Sequence, residues 1–217
     1  MDFTETELIF ESAHFLLRPV EESDAADLLR CYSDEEAVAR MNADNCTSTF
    51  LLKTMEEMSD CIRFWQRDGK QTRYIRFAVV DKADNRSIGT CEFFPREKLG
   101  PLKKVGIVRL DLMSAYETEG VLSELFSLFH REFYSKVCYL MTKAPAAATL
   151  RRELLRIWGY AAVKGRRILP FDGYWFRAER TMSLPYGCGG LSCALCEIEG
   201  CPGCQMEEGL CGGSETG

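Results

Sequence analysis

Three consecutive segments decide the fold: VGIVRLDLM (residues 105–113), SAYETEG (114–120) and VLSELFSLFHREFY (121–134). The first has the apolar, β-branched composition of a strand, and the third repeats apolar residues at the spacing of an amphipathic helix. A strand that enters a helix through a short turn presents unpaired backbone N–H groups at the helix start, where phosphates bind. The turn, however, carries Glu117 and Glu119, whose negative charges oppose those of a phosphate.

The composition indicates a globular protein. The 217-residue chain is 46% hydrophobic and 28% charged, with a formal net charge of −6 at pH 7. The acidic balance argues against a general nucleic-acid binder, which needs a dominant cationic face. The N-terminal sequence MDFTETELIFES lacks the cationic and apolar regions of a signal peptide, and no apolar run approaches the roughly 18 residues of a membrane span. We therefore expect a cytoplasmic protein that does not bind a membrane.

Apolar periodicity elsewhere in the chain predicts further strands and helices. The β-rich runs that predict strands are residues 14–20, 73–82, 86–94, 137–143, 160–164 and 173–182. Apolar residues three and four apart predict helices over residues 21–32, 33–41, 50–67 and 149–158, and residues 95–101 are predicted to form a loop. The fold class is therefore α/β (α+β), with a mixed sheet and helices on both faces.

Four strings occur in a characteristic order along the chain. They are FESAHFLLRPVEESDAADLLRCYSDEE (10–36), FAVVDKADNRSIGTCEF (77–93), RLDLMSAYETEGVLSELF (109–126) and TLRRELLRIWGYAAV (149–163). Together they resemble the GNAT (Gcn5-related N-acetyltransferase) superfamily, in particular its ribosomal-protein and N-terminal acetyltransferase branch. The resemblance implies a mostly antiparallel central sheet and transfer of an acetyl group from acetyl-CoA to an amine.

The resemblance also assigns the acetyl-CoA loop. The residues it implies for cofactor binding are Leu112, Met113, Glu117, Thr118, Glu119, Gly120, Val121 and Leu122. Of these, Gly120 matches the family's second glycine. Glu117 stands at a position that is usually basic, Thr118 replaces the first glycine, and Leu122 stands where Gly or Ala is usual. These departures predict weaker binding of the cofactor pyrophosphate.

Catalytic candidates come from residues that do not match the family. Ile107 occupies the position of the usual glutamate base, so the base must lie elsewhere. Alternation along the strand places Arg109 and Asp111 on one face, opposite Val108, Leu110 and Leu112. Asp111 is the first candidate for the general base that accepts the amine proton, and Glu92 on the neighbouring strand is the second. Tyr116, Tyr139 and Tyr160 could each donate a proton to the leaving thiolate, and Tyr160 is the one assigned to the catalytic set.

The composition changes abruptly after Leu184. We place a domain boundary there, between a GNAT-like domain of residues 1–184 and a Gly- and Cys-rich tail of residues 185–217. In a reducing cytosol, a cluster of cysteines indicates metal or redox chemistry rather than a disulfide framework.

Two Cys-x2-Cys pairs in the tail are the predicted metal ligands. They are Cys193, Cys196, Cys201 and Cys204. Four thiolates satisfy tetrahedral zinc, while Cys-x4-Cys-x2-Cys spacing also occurs in iron–sulfur loops. A disordered thiol-rich tail and a redox or covalently modified segment are the alternatives.

Two functions are compatible with these patterns. The first is an acetyl-CoA-dependent N-acetyltransferase that acts on an unidentified amine of a small molecule, peptide or protein. Such an enzyme could act as a homodimer. The second is a GNAT-like domain that has lost catalysis and serves as a binding or scaffold module for a metal-binding tail. The departures from the family pattern at Glu117, Thr118, Ala148, Leu155 and Ile107 favour the scaffold. The retained element order, Gly120 and the polar pair Arg109 and Asp111 favour the enzyme.

Overall fold

The strand predicted from Val105 onward lies near the centre of a mixed sheet. The computed structural model describes residues 8–44, 46, 50–100, 102–163 and 171–179. Within them, eight strands form one sheet: β1 (Phe10–Glu11), β2 (Phe15–Pro19), β3 (Ile75–Asp81), β4 (Arg86–Leu99), β5 (Leu102–Leu112), β6 (Tyr139–Lys143), β7 (Ala161–Ala162) and β8 (Tyr174–Ala178). Their order across the sheet is β1-β2-β3-β4-β5-β6-β8-β7.

Five α-helices cover the two faces of this sheet in the described part of the chain. They are α1 (Ala25–Tyr32), α2 (Glu35–Arg40), α3 (Met55–Thr72), α4 (Glu119–Phe133) and α5 (Thr149–Ile157). None of the described helices is long and apolar enough to cross a membrane. The predicted fold class, a mostly antiparallel mixed sheet with helices on both faces, is confirmed.

One pair of strands departs from the antiparallel pattern. β5 and β6 run parallel, and their pairing ends at Val108 and Thr142. β5 continues to Leu112 and stays paired with β4 on its other side. Because β6 ends after Lys143, the last residues of β5 have a strand on one side only. We call the space beside this unpaired segment the strand gap.

The two faces of β5 have different characters, as its alternation predicts. Val108, Leu110 and Leu112 belong to an apolar core that includes Leu125 and Phe129 of α4. A second apolar core, built mainly from α1, α2 and α3, covers the opposite face. The polar side chains of β5 lie on that second face, which confirms the predicted assignment of faces.

The predicted loop at residues 95–101 is wrong, because β4 continues through Leu99. Pro95 lies inside the strand and is opposite Gly106 of β5. The pairing of β4 with β3 ends at Phe93, so the missing N–H of Pro95 faces no neighbouring strand. Proline is tolerated in a strand only under that condition.

The predicted bounds of α3 are also wrong, because the helix begins at Met55 and extends to Thr72. Thr54 and Glu57 form a capping box at its start. Gly69 does not end the helix. A Cβ at this position would lie 2.9 Å from the carbonyl oxygen of Tyr74. The glycine is therefore explained by close packing. The helix ends at Arg73, whose φ of 62° is left-handed.

A buried ion pair connects the start of α1 to the sheet. Arg18 of β2 donates to both carboxylate oxygens of Asp24, at 2.8 and 2.7 Å. The Ser87 hydroxyl of β4 and the Glu21 N–H also donate to this carboxylate. Burial alone would raise the pKa of Asp24, but these hydrogen bonds outweigh it and hold the pKa below the ordinary aspartate value.

We expect Asp24→Asn to lower the free energy of unfolding at pH 7 by about 2–3 kcal/mol, because it breaks a mostly buried charged hydrogen-bond network. The depressed pKa means that Asp24 stabilises the fold above the unfolded-state aspartate pKa, and that this contribution is lost as pH falls through the folded-state value. The difference between variant and wild type in urea unfolding should therefore vanish in acid. Asp27→Asn is the matched control, since Asp27 makes only a 3.9 Å contact with Arg30. Equal effects of the two substitutions at pH 7 would contradict this account.

Candidate active site

The strand gap is occupied by one arginine side chain. Arg151, in the first turn of α5, donates from Nη1 to the carbonyl oxygen of Leu110 at 2.7 Å. Its side chain is only 2% exposed. Without this contact, the Leu110 carbonyl would face the gap with no strand partner. Arg151 therefore donates the hydrogen bond to Leu110 that β6 does not provide at this position.

Glu117 neutralises this buried arginine. Its carboxylate accepts from Nε and Nη2 of Arg151 at 2.9 and 2.6 Å, and its side chain is 6% exposed. A bidentate pair of this kind is the strongest geometry for an arginine and a carboxylate. The negative charge of Glu117, in the turn before α4, is thus directed inward and compensated by Arg151.

The start of α4 retains open backbone donors. Thr118 is the N-cap, and its hydroxyl accepts weakly, at 3.5 Å, from the Val121 N–H. The N–H groups of Glu119 and Gly120 belong to the first helical turn and have no partner within the helix. A Cβ built on Gly120 would meet nothing within 4 Å. Open space therefore adjoins these donors.

The remaining residues of the predicted cofactor set lie behind this surface. Leu112 and Leu122 are buried in the core beneath α4. The Met113 N–H donates to the Ile88 carbonyl, and the Met113 side chain packs against the core of α1 to α3. These residues support the loop, and any contact that they make with a cofactor stays a prediction.

Thr142 adds a polar atom at the strand gap. Its Oγ1 is buried and has no hydrogen-bond partner among the described residues. Thr142 forms the last β5–β6 pair before the strands separate. A buried hydroxyl without a partner is unfavourable unless a ligand or water satisfies it.

The opposite face of the central strands carries a buried polar network. Tyr32 of α1 donates to Oδ2 of Asp111 at 2.9 Å and contacts the Thr90 hydroxyl at 2.8 Å. Arg76 of β3 donates to the same Asp111 oxygen at 3.4 Å and to Oε2 of Glu92 at 2.6 Å. Burial, followed by the Asp111 charge, raises the pKa of Tyr32 well above its usual value, so the phenol keeps its proton.

An open cleft of about 390 Å³ borders this network. The charged residues that line it are Asp44, Asp68, Arg76, Glu92, Arg96 and Arg109. Asp111 is not among the lining residues, and its side chain has no exposed surface. Glu92 lines the cleft and is 16% exposed. Of the two predicted general bases, the structure therefore brings only Glu92 to a surface that a substrate can reach.

A second ion pair connects the cleft to the strand gap. Lys143, at the end of β6, pairs with Asp44 in the segment between α2 and α3. Asn42 donates to the Tyr174 hydroxyl at 3.0 Å, and Tyr174 lines the cleft. Burial raises the pKa of Tyr174 above its ordinary value, so this phenol is protonated at neutral pH.

The predicted thiolate donor, Tyr160, lies elsewhere. Tyr160 is buried in the core beneath α4, and its hydroxyl is 2.9 Å from Nε2 of His130. It does not line the cleft, where Glu92 and Tyr174 lie. The structure thus does not bring Tyr160 together with the two predicted bases.

Sequence analysis missed two residues that organise the site. Arg76 interrupts an otherwise apolar strand, and a charge within such a strand signals a buried partner. Arg151 is a charged residue on the apolar face of α5, where Leu154 and Leu155 are buried. Both signals are visible in the sequence, but neither identifies the partner.

The predicted metal ligands Cys193, Cys196, Cys201 and Cys204 lie outside the described residues. Within the described ranges, no group of three or more His, Cys, Asp or Glu residues is arranged to hold a metal ion. Zinc or an iron–sulfur cluster in the tail stays a prediction, as does the domain boundary near Leu184.

The strand gap and the adjoining helix start lie within a segment that matches a known protein family. Residues 14–156 match the family described as acetyltransferase (GNAT) domain. The match spans well over half of the chain, and the protein belongs to the GNAT acetyltransferase family.

Solved structures show the same fold at low sequence identity. The ribosomal L7/L12 α-N-protein acetyltransferase RimL in complex with coenzyme A is 12% identical, with a TM-score of 0.55 over 78% of this chain and 97% of that one. The ribosomal-protein-S5-alanine acetyltransferase from Vibrio fischeri is 16% identical, with a TM-score of 0.52 over 80% and 97%. An acetyltransferase from Salmonella typhimurium that modifies the N-terminal serine of L7/L12 is 13% identical, with a TM-score of 0.56 over 78% and 98%. No match was found among curated protein sequences.

We expect Glu117 and Arg151 to be energetically coupled. Glu117→Gln leaves a buried arginine without its counter-ion, and Arg151→Met leaves a buried carboxylate, so each should lower the free energy of unfolding by about 3–5 kcal/mol. The double variant removes both charges and should lose less than the sum, with a coupling of about 1–3 kcal/mol in urea unfolding. The exposed pair Glu36→Gln and Arg40→Met on α2 is the matched control, with an expected coupling below about 0.5 kcal/mol. Additive effects at residues 117 and 151 would show that the pair does not act as a unit.

Proposed function

We propose that the protein is an acetyl-CoA-dependent N-acetyltransferase that transfers acetyl to an amine bound in the cleft. The observation that carries the proposal is the position of β5 between two sites. On one face, the strand gap and the start of α4 offer Thr142 Oγ1, the Glu119 and Gly120 N–H groups, and open space. On the other face, the cleft offers Glu92 and Tyr174.

The cofactor side fits an anionic pyrophosphate without a basic loop residue. Helix N-terminal N–H groups and the positive end of the helix dipole favour a phosphate. The Glu117 carboxylate, which would repel it, is paired with Arg151. When bound, acetyl-CoA supplies the acetyl thioester. Coenzyme A in the complex with the L7/L12 acetyltransferase supports the same co-substrate here.

Glu92 is the best-placed general base. Arg76 fixes its Oε2, and its Oε1 makes no hydrogen bond within the described residues. As the amine nitrogen attacks the thioester carbonyl, the C–N bond forms, the C–S bond breaks, and the amine proton passes to Glu92, directly or through one water. The leaving thiolate needs a proton, and the protonated Tyr174, which lines the cleft, is a better-placed donor than Tyr160, which does not line it.

Asp111 has a supporting role in this proposal. Its carboxylate receives hydrogen bonds from Tyr32 and Arg76, and Arg76 in turn holds Glu92. Asp111 thereby orients the arginine that orients the base. Direct proton transfer from a substrate to Asp111 would require the network to open first.

The scaffold alternative depended on Glu117 repelling the cofactor and on the absence of a base at Ile107. The Glu117 charge is compensated, and Glu92 provides a carboxylate on the neighbouring strand. The named relatives acetylate N-terminal amines of ribosomal proteins, which supports an amine acceptor for this chain as well.

Calorimetric titration with acetyl-CoA tests the cofactor assignment. We expect saturable binding to wild type. Gly120→Leu should bind about tenfold or more weakly, because its side chain enters the open space next to the first-turn N–H groups while leaving the fold intact. Ser127→Leu, on the exposed face of the same helix, is the matched control and should bind like wild type. No binding to wild type at millimolar acetyl-CoA would overturn the proposed function.

Glu92→Gln tests the base. With carbon-13-labelled acetyl-CoA and a panel of L-amino acids, alkyl and arylalkyl amines, and peptides beginning with serine or alanine, products are detected by mass spectrometry. We expect the substitution to lower kcat by about 10²- to 10⁴-fold with little change in acetyl-CoA affinity. Glu97→Gln, an exposed substitution on the same strand, is the control. An unchanged kcat for Glu92→Gln would exclude Glu92 as the base.

A further inference from the structure

The cleft contains an arginine whose hydrogen-bonding capacity is largely unused. Arg109 lines the cleft, and its side chain is 10% exposed. Within the described residues, its one hydrogen bond is to the Cys46 sulfur at 3.4 Å, and its buried Nε has no partner. Its guanidinium lies 4.8 Å from the centre of the Phe50 ring, which fixes its plane. A guanidinium has five N–H donors in a fork that matches a carboxylate.

The nearest charges do not satisfy Arg109. Asp111 is 4.0 Å from its Nε and is already held by Tyr32 and Arg76. Glu92 is directly opposite Arg109 in the β4–β5 register, yet it pairs with Arg76 and not with Arg109. The cleft floor therefore presents an anion and a cation side by side that do not pair with each other.

The other charged groups of the cleft are engaged or lie toward its edge. Asp44 pairs with Lys143, and Asp68 receives a hydrogen bond from Thr72 at 3.4 Å. Arg96 is exposed and stacks on the Phe94 ring at 4.0 Å. Among the described residues, Arg109 therefore has no carboxylate within hydrogen-bonding distance.

The rest of the lining is rich in aromatic and apolar side chains. These are Phe50, Phe64, Trp65, Tyr74, Phe94, Leu99, Ile107, Phe171 and Tyr174. Phe64 is 49% exposed. Walls of this kind favour a ligand with an apolar body and a few polar groups at one end.

We propose that the acetyl acceptor is a free α-amino acid with an aromatic or large apolar side chain. This inference rests on the proposed function and names its substrate class. The carboxylate binds the Arg109 guanidinium, the adjacent amino group faces Glu92, and the side chain lies against the aromatic walls. An α-amino acid places its amine and its carboxylate on one carbon, which matches neighbouring groups on paired strands. Within a peptide, the corresponding carboxylate is a neutral amide.

Binding of matched ligands to the wild-type protein tests this assignment without a variant. The probes are L-phenylalanine, L-phenylalanine amide and phenethylamine, titrated by calorimetry with and without saturating coenzyme A. We expect L-phenylalanine to bind about 10- to 100-fold more tightly than the other two, the range for a hydrogen-bonded charge pair. Equal binding of the acid and the amide would overturn the inference. So would no binding of L-phenylalanine at about 10 mM, which is ten times the upper end of typical KM values.

Variants of Arg109 then assign the selectivity to one residue. Arg109→Gln should remove the preference for the acid over the amide and raise KM for L-phenylalanine by about 10- to 100-fold, with little change for phenethylamine. Arg109→Lys should restore part of the preference, and thermal unfolding checks that the variants are folded. Arg63→Gln, on the exposed face of α3, is the control. Loss of the preference in Arg96→Gln and not in Arg109→Gln would overturn the assignment to Arg109.

These outcomes are distinct from failure of the proposed function. Absence of acetyl-CoA binding removes the acetyltransferase, whatever the amino acid titrations show. Binding of acetyl-CoA, together with acetylation of phenethylamine or of peptides as efficiently as of L-phenylalanine, leaves the acetyltransferase in place and overturns only the amino acid acceptor.

Discussion

The separation of β5 from β6 after Val108 and Thr142 is the constraint on which the rest of the site depends. A strand that extends beyond its neighbour leaves backbone groups that need partners in a buried place. Arg151 meets this need at Leu110, but an arginine that is 2% exposed also needs a counter-ion. Glu117 is that counter-ion. The acidic residue in the turn before α4 is therefore explained by the arginine in the gap.

The same strand imposes a second requirement on its other face. Arg109 and Asp111 alternate with the apolar residues of β5. Asp111 lies against Tyr32 of α1, whereas Arg109 lines the cleft. Arg76 and Tyr32 satisfy Asp111, and Arg76 also fixes Glu92. One arginine thus links three strands and leaves Arg109 without a carboxylate of its own. The floor of the cleft is polar because Arg76 takes both carboxylates, Asp111 and Glu92, as its partners and Arg109 is left with neither.

The sequence predicts the helices and strands better than it predicts which side chains pair with each other. Alternation and helical spacing are local, so they identified the faces of β5 and the amphipathic helix α4. The pairing of Glu117 with Arg151 spans 34 residues and depends on where β6 ends, which no local pattern records. The loop predicted at Pro95 is wrong for a similar reason, since it depends on where a neighbouring strand ends. Proline is excluded from a strand that is paired on its N–H side, and the pairing of β4 with β3 ends before Pro95. Alternation along β5 predicts which face Asp111 lies on, but it does not predict how deeply the side chain is buried.

Neutralising Glu117 has a consequence for how a cofactor is held. A loop with a basic side chain attracts phosphate by a full charge that acts over several ångströms and is screened by salt. Glu117 and Arg151 together contribute no net charge here, so in the proposed function the attraction comes from the first-turn N–H groups and the dipole of α4, equivalent to about half a charge. Exposed Glu119 opposes it. Recognition by hydrogen bonds at short range depends on geometry more than on charge.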